Sequence, residues 1–282
     1  MLENILVFAA PVFVLFVVVE IASYRFGSDD AELAELGYTP RDTVTSLSMG
    51  LGYLAVEAGW KLVTLAALIG VYALTPLRLA AGNPWTWVLL FFADDFVYYW
   101  YHRSHHVIRV LWASHVVHHS SERYNFSTAL RQPWTAFTAL PFWLPLAALG
   151  IPPWLIMFEM SVSLIYQFFL HTERIEKLPR WFEAVFNTPS HHRVHHGSQK
   201  VYLDRNYGGI LIIWDRLFRT FEPERERVVY GLTKNIATFN PAKVAFGEYV
   251  AIGRAVRRAP SWRDRVGYLL HHPGWSPTPV AA

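Results

Sequence analysis

The chain has 282 residues, of which 53% are hydrophobic and 16% aromatic, with a formal net charge of +3 and no cysteine. This hydrophobic fraction is high for a soluble protein and is typical of a protein that lies in a bilayer with belts of Trp and Tyr. The lack of cysteine excludes disulfides, iron–sulfur clusters and thiolate-bound haem or zinc, so any metal must be held by histidines and carboxylates.

Long apolar stretches predict about four transmembrane helices, because about 20 apolar residues cross the ~30 Å core of a bilayer. In chain order they are residues 4–22, 47–74, 85–101 and a proline-bounded helical hairpin, 133–151 with 153–170. The first stretch lacks a basic leader and a small-residue cleavage site, which favours an anchor helix over a signal peptide.

The third predicted span carries Asp94 and Asp95, although unpaired carboxylates are expensive inside a membrane. Asp95 lies seven residues before His102 and on the same helix face. We therefore predict that Asp95 accepts a hydrogen bond from a metal-ligand N–H, with a simple interhelical pair as the alternative.

Lysine and arginine counts predict the orientation. Arg25 and Arg41 lie in the first loop, whereas the loop at 75–84 has only Arg78, so the first loop, the histidine-rich segment and the C-terminal third are expected in the cytoplasm. Basic residues there suit lipid headgroups, and no base-reading motif indicates a nucleic-acid partner.

Three segments are expected. Residues 1–94 form the N-terminal spans, residues 95–246 the catalytic region with its hairpin at 133–170, and residues 247–282 an interfacial tail.

Eleven of the thirteen histidines fall into tight groups. They are His102, His105 and His106; His115, His118 and His119; His171; and His191, His192, His195 and His196. Residues three or four apart share a helix face, so each box presents a stripe of imidazoles that suits a transition metal. A zinc-hydrolase motif would need Glu where Arg103 stands. His105 and His191 point about 100° away from their neighbours and are weaker candidates.

These boxes resemble the fatty acid hydroxylase/sterol desaturase superfamily of membrane-bound, non-haem di-iron enzymes. The sequences DFVYYWYHR at 95–103, YQFFLHTE at 166–173 and DRNYGGILIIWDRLFRTF at 204–221 are most similar to its alkylglycerol monooxygenase branch. The likeness covers residues 95–246.

The resemblance implies nine metal ligands, namely His102, His106, His115, His118, His119, His171, His192, His195 and His196. Asp95, Glu173 and Asn206 are the expected catalytic residues, although Glu173 is equally well explained as a surface charge and Asn206 as part of a structural turn. The implied cofactors are two iron ions, which zinc can replace in a structure because affinity alone does not select iron. O2 and an external electron donor are also implied, the donor being tetrahydrobiopterin or a ferredoxin- or cytochrome-type protein.

The sequence thus predicts an all-α integral membrane protein whose cytoplasmic helical cap holds a histidine-rich dimetal site. The expected function is hydroxylation of a lipid C–H bond, including cleavage of alkylglycerol ethers through a hemiacetal. The alternatives are a sterol, carotenoid or fatty-acyl hydroxylase or desaturase, and, in another class, a metal-binding scaffold or transporter. A transporter should carry its ligands at the membrane midplane, whereas these boxes lie beyond the ends of the spans.

Overall fold

The computed structural model describes residues 5–27 and 37–277, so the parts of the predicted first and last segments at 1–4, 28–36 and 278–282 lie outside the described residues. Within the described ranges the protein is helical and has no strand, which confirms the all-α prediction. The helices are α1 Ile5–Phe26, α2 Pro40–Leu74, α3 Pro84–Val107, α4 Arg109–His119, α5 Phe126–Ala129, α6 Leu140–Ala148, α7 Pro153–Phe168, α8 Arg180–Glu183, α9 Pro189–His195, α10 Ile213–Leu217, α11 Pro241–Arg258 and α12 Trp262–Leu270.

In the part of the chain that the structure describes, two helices are long and apolar enough to cross a membrane, namely α1 and α2. Only 17% of the apolar stretch of α1 and 6% of that of α2 is buried, so side chains such as Val14 and Leu54 face outward. Such exposure is costly in water and favourable against lipid.

Helix α3 continues the third predicted span directly into the first histidine box. The Asn83 side chain accepts a hydrogen bond from the Trp85 N–H, and Pro84 occupies the first helical position, where its missing N–H costs nothing. Because the helix runs on to Val107, His102 and His106 lie on its last turns and follow its geometry.

The predicted hairpin forms, but its first arm is shorter than expected. Helix α6 begins only at Leu140, after a 3₁₀ turn at Ala136–Thr138, and ends before Gly150. Gly150 has φ +84°, and a Cβ there would lie 2.6 Å from the Leu77 carbonyl carbon. Only glycine allows this tight turn, which packs the hairpin tip against the loop after α2.

The main apolar core lies between α2, α3, α6 and α7. Leu68, Leu90, Leu146 and Leu155 are completely buried in it. This core fixes the direction in which α3 leaves the bundle, and therefore where its histidines lie.

A second layer of short helices covers the end of α3. Helix α4 follows α3 after a single non-helical residue, Ile108, and α11 and α12 pack against α4. Arg109 at the start of α4 forms an ion pair with Glu248 on α11 at 2.8 Å. These contacts hold the second histidine box beneath the C-terminal helices.

Candidate metal centre

Nine histidines from four chain segments assemble into two adjoining groups. Group one consists of His102, His106, His115, His119 and His195, and group two of His118, His171, His192 and His196. Within each group, one nitrogen of every ring lies within 4.8 Å of the others. These nine are the residues predicted as ligands, and all but the partly exposed His115 are buried.

Helical spacing explains why the groups adjoin. On α4, His115 and His119 are one turn apart and both enter group one, whereas His118 faces group two. The third box likewise contributes to both groups. The ring centroids of His119 and His196, one from each group, are 4.4 Å apart.

The ring nitrogens of group one face one another instead of separate hydrogen-bond acceptors. Nε2–Nε2 separations of 2.9, 3.0 and 3.1 Å link four rings in the order His102, His115, His119, His195. The two end rings donate from Nδ1 to backbone carbonyls, so their Nε2 atoms carry lone pairs. Only the two middle rings have an N–H left to give, so at most two of the three contacts are hydrogen bonds. Nε2 of His106 is buried without any hydrogen-bond partner.

Group two has the same deficit of protons. Nε2 of His171 lies 3.1 Å from Nε2 of both His118 and His192. Nδ1 of His171 donates to the Gln167 carbonyl at 2.8 Å, and Nδ1 of His118 faces the Arg131 carbonyl at 3.4 Å. Both Nε2 atoms therefore carry lone pairs, and these two rings have no proton to share between them. Nε2 of His196 is buried and unpartnered. Both groups therefore fit a cation, which accepts several lone pairs at once.

Burial keeps the rings neutral, as metal binding requires. Desolvation, followed by repulsion from the neighbouring rings, lowers the pKa of His192 well below the usual 6.5. Burial likewise lowers the pKa of His171 to about 3.

One loop supports the outer side of group one. In residues 204–207, the Arg205 carbonyl accepts from His195 Nδ1 and the Tyr207 carbonyl from His102 Nδ1, both at 2.8 Å. These bonds fix the ring orientations and direct Nε2 towards the centre of the group.

Asn206 anchors this loop and does not act on a ligand ring. It has φ +55°, and its side-chain amide donates to the carbonyls of His191 and Glu222 at 3.0 and 2.8 Å. Asp215, which was not among the predicted site residues, accepts from the Tyr207 N–H at 2.8 Å. The sequence signal for Asp215 was only its place in the family-like stretch 204–221.

Asp95 on α3 supports the segment that follows this loop, residues 210–214. It accepts from the backbone N–H groups of Ile210 and Leu211 at 2.7 and 3.0 Å and from Trp214 Nε1 at 2.9 Å. The predicted hydrogen bond from a ligand ring is replaced by these three. The physical reason is distance, since seven residues of helix separate Asp95 from His102 by about 10 Å.

Glu173 lies behind group two. It accepts a short hydrogen bond from the Tyr230 hydroxyl, and its second oxygen is 3.9 Å from Nε of Arg193. The Tyr230 ring stacks on Tyr124 at 4.9 Å, and Tyr124 in turn lies 5.2 Å from the His196 ring. Glu173 therefore has partners in the wall of the site and is not a free surface charge.

His105 and His191 lie outside both groups. His105 donates to the Tyr101 carbonyl at 2.8 Å and contacts the Thr138 hydroxyl at 2.9 Å, while the His191 ring packs edge-on against Phe221.

Sequence reasoning missed the role of Glu20 on α1. This buried carboxylate accepts from the Phe126 N–H at 2.8 Å and from the hydroxyls of Thr172 and Tyr38 at 2.5 Å. It ties the anchor helix to the residue after His171. A lone acid in an apolar helix was the available signal.

Arg131 also has a structural role beside group two. It is 2% exposed, and its guanidinium donates to Asp42 at 2.8 Å and to the Ser46 hydroxyl. Its carbonyl oxygen lies 3.4 Å from His118 Nδ1. This buried ion pair thus joins α2 to the backbone behind group two.

Comparison with known proteins agrees with this site. Residues 87–220, which contain all nine grouped histidines, match the family model described as Fatty acid hydroxylase, in agreement with the resemblance of the motifs.

The chain is also similar to alkylglycerol monooxygenases. It is 43% identical to the one from Homo sapiens over 238 residues, which are 84% of this chain and 53% of that protein. It is 37% identical to the one from Caenorhabditis elegans over 248 residues, 84% of this chain and 49% of that protein. An ornithine lipid hydroxylase from Rhizobium tropici is 29% identical over 147 residues, 51% of this chain and 44% of that protein.

The chain spans about half the length of the alkylglycerol monooxygenases it matches. No solved structure matches it.

Proposed function

We propose that this protein is a membrane-bound, di-iron monooxygenase that hydroxylates a C–H bond of a lipid, and that alkylglycerol ethers are its substrates. The observation that carries the proposal is the pair of adjoining groups of five and four imidazoles, which have too few protons to satisfy their ring nitrogens. Imidazole-rich sites suit redox metals such as iron.

In this proposal the nine grouped histidines are the ligands. Bound iron supplies the activation of O2 and the oxidation of the substrate. The protein holds the rings in place through the 204–207 loop and Asp95, and the burial of the rings keeps bulk water away from the oxidant. Asp95, Glu173 and Asn206 position the site and do not touch the reacting atoms.

Two further helical elements complete the proposed membrane topology. We assign α3 and the α6–α7 hairpin as membrane-embedded in addition to α1 and α2, which gives about four spans. Since α3 carries the first box on its last turns, the metal centre then lies just beyond the membrane, on the side that the positive-inside rule identifies as cytoplasmic. The division at residues 1–94, 95–246 and 247–282 belongs to the same proposal.

The chemistry balances with an external donor. One O2, two electrons and two protons give one hydroxyl group on the lipid and one water. When the hydroxylated carbon neighbours an ether oxygen, the product is a hemiacetal, which breaks into a fatty aldehyde and the free alcohol. We propose a reduced pterin as donor, with a ferredoxin- or cytochrome-type protein as the alternative.

The similarity to alkylglycerol monooxygenases supports the ether substrate. The similarity to an ornithine lipid hydroxylase favours a second candidate in the same class, hydroxylation of an acyl lipid. A metal-binding scaffold or transporter receives no such support.

The deciding experiment supplies 18O2 and a reductant to the purified chain in vesicles that contain an alkylglycerol, with mass spectrometry of the lipids. Ether cleavage predicts a fatty aldehyde that carries 18O. Acyl hydroxylation predicts an intact labelled lipid and no aldehyde. Iron at two ions per chain with no labelled product under any donor would contradict the enzyme assignment.

A further inference from the structure

Group one differs from group two in having a carboxylate behind one of its rings. Nδ1 of His106 lies 3.7 Å from Oδ1 of Asp204. This is longer than a direct hydrogen bond but short enough for a strong electrostatic contact. Because Nδ1 faces Asp204, the unpartnered Nε2 of His106 is the nitrogen left for an ion.

The other supported rings have neutral partners. In group one, His102 and His195 donate to backbone carbonyls. In group two, Nδ1 of His171 and of His118 also face carbonyls. A carboxylate makes a histidine more basic than a carbonyl does, so it strengthens the bond from that ring to a metal.

Asp204 is held in place by the C-terminal segment. Its backbone has φ +59°, a left-handed conformation that is unfavourable for a non-glycine residue and needs support from its surroundings. Its second oxygen, Oδ2, accepts a hydrogen bond from Nε2 of His272 at 2.8 Å.

The position of His272 is itself fixed. The neighbouring carbonyl of His271 accepts from the Arg109 N–H at 3.0 Å, which ties the segment to the junction of α3 and α4. A Cβ on Gly267 would lie 2.4 Å from the Trp275 ring, so α12 closes tightly on that ring.

We infer that Asp204 is a positioning residue for His106, and that the His272 side chain holds Asp204, so that one residue of the C-terminal segment supports the metal centre. This inference rests on the proposed function only in that group one must bind an ion. His271 and His272 are both exposed, but only His272 contacts Asp204 and so reaches the site.

The test compares four variants of the full chain, D204N, H272A, H272Q and H271A, purified in detergent and loaded with iron. The measurement is the number of ions retained as a chelator is raised. Outer partners of ligand histidines typically change metal affinity about 10–100-fold. D204N should release one of two ions at a roughly 10-fold or greater lower chelator concentration and keep the other. H272A should shift in the same direction, and H272Q, which keeps a donor, should recover part of the affinity.

H271A is the matched control, because it removes an adjacent exposed histidine that does not contact Asp204. It should release both ions as the unaltered chain does. If D204N retains both ions as the unaltered chain does, the role of Asp204 is refuted. If H272A behaves as H271A does, the role of the C-terminal segment is refuted.

Folding is checked by circular dichroism of the metal-free variants. Should D204N fail to fold, the exposed substitutions H272A and H272Q still decide the inference. An unaltered chain that binds no ions would refute the proposed function itself, an outcome distinct from equal retention in D204N.

Discussion

Removal of one ligand from each group gives the sharpest test of the two-group geometry. His195→Ala takes one of five imidazoles from group one, and His118→Ala takes one of four from group two. Each variant should lose one ion and keep the other, because the remaining group is left complete. Turnover should vanish in both, since the proposed reaction uses both ions.

The size of the effect follows from the ligand count. A four-ligand structural metal site contributes about 10–16 kcal/mol, or about 3–4 kcal/mol per ligand. Because about 1.4 kcal/mol corresponds to a tenfold change in the dissociation constant, loss of one ligand weakens metal binding by roughly 10²–10³-fold. His118→Ala leaves only three ligand nitrogens in group two, so its loss of metal affinity should be larger than that of His195→Ala.

The assay is metal quantification on purified protein, together with O2 consumption on lipid vesicles. His271→Ala, on an exposed ring that belongs to neither group, should retain two ions and full activity. The reasoning is refuted if either ligand variant keeps both ions and turns over normally. Loss of both ions from either variant would show that the two groups do not bind independently.

Two substitutions test the residues that support the metal centre, and a third tests the outward face of α2. Asp95→Asn places an amide N–H against the donors that face it, and should destabilise the fold by about 1–3 kcal/mol; an unchanged melting temperature would contradict the role given to this residue. Arg131→Met leaves Asp42 buried without its partner and should cost about 3–5 kcal/mol in denaturant unfolding, whereas a double substitution with Asp42→Asn should recover much of that loss. Leu54→Lys puts a charge on the outward face of α2 and should oppose membrane insertion by roughly 2.5–3.5 kcal/mol; equal recovery in alkali-washed membranes would argue that this face does not meet lipid.

The helical architecture and the stripes of imidazoles in the three boxes were predictable because both depend on local patterns. The full set of nine ligands, which includes the isolated His171, was implied by the family resemblance. A helix repeats every 3.6 residues, so the H-x-x-H-H boxes at His115 and His192 necessarily present a stripe. The start of α3 was also readable from a local signal, since Asn83 can cap the helix and Pro84 is favoured at the first helical position. The late start of α6 was not, since the 3₁₀ turn at Ala136–Thr138 is not marked by the hydrophobic pattern.

The roles of the supporting residues could not be read from the sequence. Asp95 lies close to the first box along the chain, yet its partners are Ile210 and Leu211, more than a hundred residues away. Likewise Asp204 and His272 meet only after α12 has folded back. Sequence separation carries no information about such contacts.

The sequence by itself determined that the protein is helical, that imidazoles from separate boxes line helix faces, and that no thiolate contributes. Helix periodicity and composition are local properties, and they suffice for those conclusions. Only the tertiary structure decided how the nine rings divide into five and four, and which carbonyl or carboxylate stands behind each ring. That division depends on how α3, α4 and α9 pack against one another, and packing is a property of the whole folded chain.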